Sequence, residues 1–414
     1  MVFSGDIMTY YQLVLKSLLF VLLAVAVSLL NTQNIKSQPV KKDTTETIRD
    51  SYTIGDGFRF RSADNFFSSK LNLRFQNKFA YHQDLDGNDR ETDLGPEIRR
   101  LRIAVGGHIW SEKLRYYIQH SLDRGNSRLF LAYTEYHPTP DLEFGFGQFT
   151  VDATRQFLTS SNNLGMVDRS IADKRFMLFF DLGAYIRYKK QLGNQVFKGA
   201  FNLTGGEGPN VDINPDGYNY IGRLDWLPLG SFKQGGDFVE LDIAYEESPK
   251  VAFGSAISFN NNAVRIDGER GAFLFQQNTD ITTYIIDGVF KYKGASLSFE
   301  YIDRTNNKVE FIDSNNEPFP IFEGEGYYVQ AGKVINKKHA FVARVSRIQP
   351  SHRIQEYVGE SISTTQTKAL GGYTRFLKGH DLKWQIDAGV VFKDDHISEV
   401  DHQLVIRTQI HINL

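Results

Sequence analysis

Arginine and lysine recur at alternate positions in several segments, mostly in the first half of the chain, where their side chains would share one face of a strand. A guanidinium group can donate two parallel hydrogen bonds to a phosphate or carboxylate, so such a row could guide anions. The positions that we assign to a water-facing wall are Arg74, Lys78, Arg100, Arg102, Arg115 and Arg187. The hypothesis is that anions pass along Arg74, Arg100, Arg102 and Arg115. The alternative is that these side chains are charged because they face water and pair across strands.

Acidic side chains take the corresponding positions in later segments. They are Asp225, Glu240, Asp242, Asp287 and Glu300. Basic and acidic walls that face each other across a low-dielectric tube would focus a transverse field on passing ions. The pattern therefore predicts Glu240 and Asp242 as pore-lining residues opposite the arginines.

Other kinds of chemistry find little support in the sequence. The 10 histidines show no metal-ligand spacing with nearby carboxylates, and the chain has no cysteine. No nucleophile elbow or similar motif marks a catalytic centre. The formal net charge of -2 argues against a nucleic-acid binder, which usually shows a basic stripe. We predict no enzyme activity, no catalytic residue, no metal, no cofactor and no nucleic-acid partner.

Alternation of apolar and polar residues with a period of two runs from Lys70 onward. In 71–81 most odd positions are apolar, and polar residues such as Arg74 and Lys78 lie between them. Successive side chains of a strand point to opposite faces, so each segment would have one apolar and one polar face. The pattern predicts sixteen strands, near 71–81, 98–109, 114–122, 129–136, 142–149, 183–190, 196–204, 218–227, 238–245, 280–292, 295–303, 326–334, 339–347, 364–376, 381–392 and 402–414.

The connections between these strands alternate in length. The short series is 111–113, 137–141, 191–195, 293–294, 336–338 and 378–380. The long series includes 82–96, 150–182, 205–217, 246–279, 304–325 and 348–363. Short periplasmic turns, long extracellular loops and an even strand number are the layout of a bacterial transmembrane barrel, whereas a soluble sandwich has no reason to separate loops by length. We predict an all-β fold, a transmembrane antiparallel β-barrel of about 16 strands.

Both ends of the chain carry signals typical of export to the outer membrane. Residues 1–37, with Lys16 before the apolar run 18–30, are predicted to be a secretory signal peptide. Residues 38–56 are charged and aperiodic, which predicts a flexible periplasmic leader before a barrel over 57–414. The last segment, 402–414, alternates strictly and looks like the C-terminal assembly signal of outer-membrane proteins, with Leu414 in place of the usual aromatic residue.

Several motifs resemble those of the phosphate-selective porins O and P. They are Gly57-Phe-Arg-Phe-Arg-Ser-Ala-Asp64, Arg99-Arg-Leu-Arg102, Gly145-Phe-Gly-Gln-Phe149, and Ser160-Ser161 with Asp168-Arg-Ser170. The resemblance implies a sixteen-stranded, usually trimeric, anion-selecting barrel of the outer membrane. After Gly-Gln-Phe the family commonly continues with a Pro-Phe-type segment and an Arg-Glu pair, and this chain has Val151-Asp-Ala-Thr-Arg-Gln156 instead. The departure bears on phosphate selectivity and leaves the porin resemblance intact.

The connection 150–182 is too long for a bare hairpin, which indicates a function. Sixteen strands leave a water-filled lumen unless something fills it, and this segment resembles the porin loop that folds inward and narrows the pore. Its charged residues are predicted to act at the constriction, and they include Arg155, Asp168, Arg169 and Arg175.

These observations predict an outer-membrane porin of a Gram-negative bacterium. It would allow passive diffusion of small hydrophilic solutes, with a preference for anions such as phosphate. The expected partners are outer-membrane lipid and lipopolysaccharide, the permeating anions and two further copies in a homotrimer. The alternatives are a receptor or adhesin that binds through 246–279 and 304–325, and a lipid-modifying barrel enzyme.

Overall fold

The computed structural model describes residues 55, 57–85, 92–211, 216–274, 276–313, 317–356, 363–394 and 401–414. The predicted signal peptide lies outside these residues, and of the predicted leader only Gly55 falls within them, so both stay predictions. Within the described part of the chain, no helix is long and apolar enough to cross a bilayer.

Sixteen strands form a closed antiparallel barrel, which confirms the predicted fold class. The strands are β1 (Phe67–Asp84), β2 (Thr92–Ile109), β3 (Ser111–Ser121), β4 (Arg128–Thr139), β5 (Leu142–Thr150), β6 (Phe180–Leu192), β7 (Gln195–Thr204), β8 (Asn219–Leu227), β9 (Lys250–Ala263), β10 (Thr279–Tyr292), β11 (Ala295–Asn306), β12 (Gly324–Ile335), β13 (His339–Pro350), β14 (Thr365–Lys378), β15 (Leu382–Asp394) and β16 (Asp401–Asn413). Each pairs with the next along the chain, and β16 pairs with β1, which closes the sheet.

The alternation of residue types gives each strand an apolar outer face and a polar inner face. On β8, Tyr220, Leu224 and Trp226 are exposed on the outside, whereas Arg223 and Asp225 are buried within the barrel. Apolar side chains outside and charged side chains inside reverse the arrangement of a water-soluble protein. This is the arrangement of a barrel whose outer surface contacts lipid hydrocarbon.

A long connection between β5 and β6, residues 151–179, folds into the lumen from the end that carries the long loops. It contains helices α1 (Arg155–Leu158) and α2 (Ile171–Phe176). The Ser170 hydroxyl caps α2 by accepting a hydrogen bond of 2.9 Å from the Asp173 backbone N–H. Val151, Ala153 and Phe176 of this β5–β6 loop are buried against inward residues of the barrel strands.

A second connection, between β8 and β9, enters from the opposite end, which carries the short turns. This β8–β9 segment, residues 228–249, contains a 3₁₀ turn at Lys233–Phe238. It meets the β5–β6 loop inside the lumen, where the Glu240 backbone N–H donates to the Asn163 carbonyl oxygen at 3.2 Å. Connections therefore occupy part of the barrel interior from both ends.

The strand predicted at 238–245 is wrong, and so is the loop predicted at 246–279. Residues 238–245 belong to the β8–β9 segment, and the strand lies instead at 250–263 as β9. The prediction took 238–245 for the strand because its residue types alternate as those of a strand do. It missed β9 because the inward residues of that strand are small and give a weak alternation. At Gly254 a Cβ atom would lie 2.3 Å from Arg223 Nη2, so a larger residue there would displace the side chains that face it. The connection left for an outer loop, 264–278, is less than half the predicted length.

Candidate functional site

A β-bulge in β2 turns two consecutive arginines into the lumen. Arg99 is the extra residue of the bulge, beside the paired residues Gln76 of β1 and Arg100 of β2. Arg100 Nη1 donates to Gln76 Oε1 at 2.7 Å, and Arg99 Nε donates to Asp168 Oδ1 of the β5–β6 loop at 3.0 Å. The bulge thus adds a cation that strict alternation would place on the lipid face.

A cavity of about 370 Å³ lies between the inner face of β1–β4 and the β5–β6 loop. We call it the basic cavity, because six cationic side chains and one carboxylate, that of Asp123, line it. The cations are Arg74, Arg99, Arg100, Arg102, Arg169 and Lys174. The structure therefore brings together three of the predicted wall arginines, those at 74, 100 and 102.

Two of these arginines retain unused hydrogen-bond donors. Arg74 Nη1 donates to Ser161 Oγ at 3.0 Å, and Arg102 Nη2 donates to Asp123 Oδ2 at 3.1 Å. The Nε atoms of both arginines are buried and have no hydrogen-bond partner within the part of the chain that the structure describes. A buried donor without an acceptor costs free energy, and these two N–H groups add to the positive potential beside the cavity.

Asp168 lies at the centre of a group of cations beside the basic cavity. Its carboxylate accepts from Arg99 Nε at 3.0 Å and Arg407 Nη1 at 3.2 Å, with Lys78 Nζ and Lys174 Nζ each at 3.6 Å. Burial alone would raise the pKa of Asp168, but these four cations hold it well below its usual value. The carboxylate therefore stays charged and neutralises part of the basic wall.

Arg155 fastens the β5–β6 loop to the opposite wall of the barrel. Its Nε lies 2.5 Å from Asp287 Oδ1 and its Nη2 lies 2.5 Å from Asp225 Oδ1, while its backbone N–H donates to Glu300. Arg223 of β8 also pairs with Asp287, at 2.8 Å. Arg155 and Arg223 lie in front of the predicted acidic wall and pair with its carboxylates. The wall is therefore mostly covered by the loop, and its negative charge is neutralised.

Glu240 and Asp242 lie in the β8–β9 segment and not on a strand. The Glu240 carboxylate accepts from Gln156 Nε2 and the Gly165 backbone N–H, both at 2.7 Å, which ties the segment to the β5–β6 loop. Asp242 accepts from the Gly294 backbone N–H at 2.7 Å and so caps the turn between β10 and β11. Neither is among the residues that line the basic cavity.

The other predicted loop residues have different surroundings. Arg169 donates to the carbonyl oxygens of Gln156 at 3.0 Å and Thr159 at 2.7 Å, so it shapes the loop while one side of it lines the basic cavity. Arg175 lies over the Phe322 ring at 4.0 Å and 3.8 Å from Asp267, among the outer loops. The structure thus places Arg169 at the cavity and Arg175 away from it.

Two further cavities continue from the basic cavity toward the end with the short turns. Tyr117 lines the basic cavity and also a cavity of about 540 Å³. Arg115 lines the latter and also a vestibule of about 650 Å³, which Arg187 and Asp152 line as well. In the vestibule Arg187 Nε lies 2.9 Å from Asp152 Oδ2. The three neighbouring cavities share lining residues and lie one after another along the β1–β7 side of the lumen, and we call them the file of cavities.

Sequence reasoning missed a His and carboxylate group at the mouth of this file. Potential ligand atoms of Glu135, His137 and Glu143 lie within 4.8 Å of one another. Pairing of β4 with β5 brings them together, which spacing along the chain alone does not reveal. Tyr185 donates to Glu135 Oε1 at 2.6 Å and Arg187 donates to Glu143 Oε1 at 2.8 Å, so hydrogen bonds from protein donors already engage both carboxylates. The absence of a metal stays a prediction.

Glu269 gives the outer end of the barrel a pH dependence. Its buried Oε1 accepts from Asn219 Nδ2 at 2.7 Å, and burial, followed by the nearby Asp181, raises the pKa of Glu269 to about 8. Because this pKa exceeds that of the unfolded chain, about 4.5, the protonated form stabilises the fold below pH 4.5. That stabilisation is lost as the pH rises to about 8, by about 1.4 kcal/mol per pH unit.

The variant Glu269→Gln is therefore expected to flatten the pH dependence of the free energy of unfolding. Glutamine stays neutral, so the variant should be more stable than the wild type at pH 9 and similar at pH 4. Urea unfolding of the liposome-inserted protein, followed by tryptophan fluorescence, measures this. Glu317→Gln, at an exposed position of the outer loops, is the control and should leave the profile unchanged. Parallel profiles for Glu269→Gln and wild type would contradict the prediction.

Comparisons with known proteins agree with this architecture. In the solved structures, OprB of Pseudomonas putida matches with a TM-score of 0.54 and 11% identity, over 84% of this chain and 94% of its own. OmpF of Salmonella typhi matches with a TM-score of 0.52 and 10% identity, over 85% of this chain and 100% of its own. The outer membrane channel DcaP of Acinetobacter baumannii matches with a TM-score of 0.51 and 10% identity, over 85% of this chain and 99% of its own. Identities of this size show a shared fold. A search of the curated proteins finds no match.

A comparison with models of protein families identifies the family of this chain. The family model of the phosphate-selective porins O and P matches residues 70–285, which is more than half of the 414-residue chain. The matched region runs from β1 into β10 and includes the arginine wall and the β5–β6 loop. The chain therefore belongs to the phosphate-selective porin O and P family and is a channel protein of the Gram-negative outer membrane.

Proposed function

We propose that this porin passes small anions, phosphate among them, along the file of cavities on the β1–β7 side of the lumen. The observation that carries the proposal is the basic cavity, where six cationic side chains outnumber the carboxylates of Asp123, Asp168 and Asp173 that pair with them, and two arginine Nε donors are buried and unused. In a lumen surrounded by hydrocarbon, such a concentration of charge raises the local anion concentration and lowers that of cations.

The geometry of the donors suits oxyanions. Arg74 and Arg102 line the cavity beside other guanidinium groups, and each keeps an Nε–H without a hydrogen-bond partner among the described residues. Guanidinium groups bind phosphate and carboxylate oxygens through parallel hydrogen bonds, and they remain charged at every accessible pH. The β5–β6 loop forms the other side of the cavity, so we assign to it the role of the constriction.

Exchange of both wall arginines for glutamine tests the proposal. In Arg100→Gln/Arg102→Gln we expect the anion-to-cation permeability ratio to fall about tenfold, the lower end of what focused charge does to local ion concentration. The reversal potential of single channels in a potassium chloride gradient measures this ratio, with phosphate added as competitor. An unchanged ratio would remove the selective role of this wall.

The matched control for that experiment is Lys337→Gln/Lys338→Gln. These lysines are exposed in the short turn between β12 and β13, so the exchange removes the same number of charges outside the cavity. The permeability ratio should stay at the wild-type value. Trimeric assembly, which the family resemblance implies, and contact with lipopolysaccharide stay predictions.

A further inference from the structure

One side of the basic cavity is apolar. Its apolar and aromatic lining residues are Tyr117, Phe130, Leu131, Phe157, Leu158, Met177, Phe179 and Phe180. The other apolar clusters of the lumen pack the β5–β6 loop or the β8–β9 segment directly against the strands, whereas this one also borders a cavity. Apolar side chains that border water in a channel contribute nothing to the passage of inorganic ions, so this lining calls for another explanation.

The rings form one contiguous cluster. Ring centroids are 4.4 Å apart for Phe179 and Phe180, 4.9 Å for Phe130 and Phe180, and 5.4 Å for Phe157 and Phe179. Phe179 is only half-buried, so part of its ring borders the cavity. The spacing is that of favourable aromatic pairs, into which a further ring could stack.

Cations stand directly beside these rings. The Arg102 guanidinium carbon lies 4.9 Å from the centroid of Phe130, and that of Arg169 lies 5.0 Å from the centroid of Phe157. A solute with a carboxylate or phosphate attached to an aromatic ring could therefore contact the guanidinium groups with its charge and the phenylalanines with its ring. The cavity volume of about 370 Å³ lies in the range of pockets for organic molecules.

We propose that the basic cavity selects aromatic monoanions, such as an aryl carboxylate, over inorganic and small aliphatic anions. The inference rests on the proposed function and narrows it to a class of solute. Charge draws the solute to Arg74 and Arg102, and the ring then leaves water by contacting Phe179 and its neighbours. The rival explanation is that the rings only hold the β5–β6 loop against β4 and β6.

Block of the chloride current by added carboxylates tests the inference. In the wild-type channel, benzoate is expected to reach half-block at about a tenfold lower concentration than acetate, which has the same charge and no ring. In Phe179→Leu, where an apolar side chain keeps the contact with Phe130 and Phe157, this difference should fall to about threefold or less. Phe319→Leu, in a ring pair of the outer loops, should behave as wild type.

The outcomes separate this inference from the proposed function. Equal block by benzoate and acetate in a wild-type channel that prefers chloride over potassium overturns the inference and leaves the proposed function standing. A wild-type channel without chloride preference overturns both. Retention of the full benzoate preference in Phe179→Leu shows that the rings only support the loop and also overturns the inference. The wild-type comparison decides the matter even where the variant fails to assemble.

Discussion

The variant Arg155→Ala is expected to raise the single-channel conductance about twofold, because it releases the β5–β6 loop from the barrel wall. Arg155 is almost fully buried and pairs with Asp225 and Asp287 at 2.5 Å. Its Nη1 also donates to the Asp237 carbonyl oxygen at 2.8 Å, so the same side chain holds the β8–β9 segment. Removing one partner of a buried ion pair costs about 3–5 kcal/mol, which is enough to displace a loop.

Single-channel recording in a planar bilayer measures this effect, and Arg353→Ala is the matched control. Arg353 pairs with Glu323 at 3.0 Å in the outer loops but is half exposed. An exposed ion pair contributes about 1 kcal/mol or less, so the control should keep the wild-type conductance. Wild-type conductance in Arg155→Ala, with the folded barrel shown by heat-modifiable migration in gels, would mean that other contacts hold the loop.

The variant Asp168→Asn is expected to raise the anion-to-cation permeability ratio about threefold, because it frees several cations without changing the shape of the loop. The carboxylate engages Arg99 and Arg407 directly, with Lys78 and Lys174 nearby. Asparagine keeps one acceptor oxygen and the volume of the side chain. Since the surrounding cations hold the pKa of Asp168 well below its usual value despite burial, the wild-type ratio should not depend on this group between about pH 4 and 9.

Reversal potentials of Asp168→Asn and Asp141→Asn compare the same change of charge at two places. Asp141 is exposed in the turn between β4 and β5 and lines the vestibule. Its exchange should change the ratio much less, because the vestibule is wider and open to water. A ratio that falls or stays constant in Asp168→Asn would show that the four cations lie off the path of the ions.

The strands were predictable because a barrel wall between lipid and water imposes a period of two. Fifteen predicted strands overlap observed ones, and the one failure is instructive. The segment around Leu241 alternates as a strand does, but its apolar residues pack against Met166 inside the lumen. The alternation of residue types records which side of a segment is buried, and it does not record whether the buried side faces lipid or the β5–β6 loop.

The arginine wall was predictable in part, for the same reason. Arg100 and Arg102 follow the alternation, whereas Arg99 enters the lumen only through the bulge. The neutralisation of Asp225 and Asp287 by Arg155 depends on contacts between residues 70 and 132 positions apart. Local patterns carry no information on such contacts, so the covered acidic wall could not be foreseen.

The seam between β1 and β16 has a consequence for how the molecule acquires its shape. Across it, Gln76 Nε2 lies 2.6 Å from His411 Nδ1, although the two residues are 335 positions apart in the chain. Until these strands meet, both carry unpaired backbone groups that hydrocarbon cannot satisfy. Pairing two strands that are so far apart in the chain is slow. We therefore expect β1 and β16 to pair late, together with insertion into the membrane, and not after stepwise burial of finished hairpins.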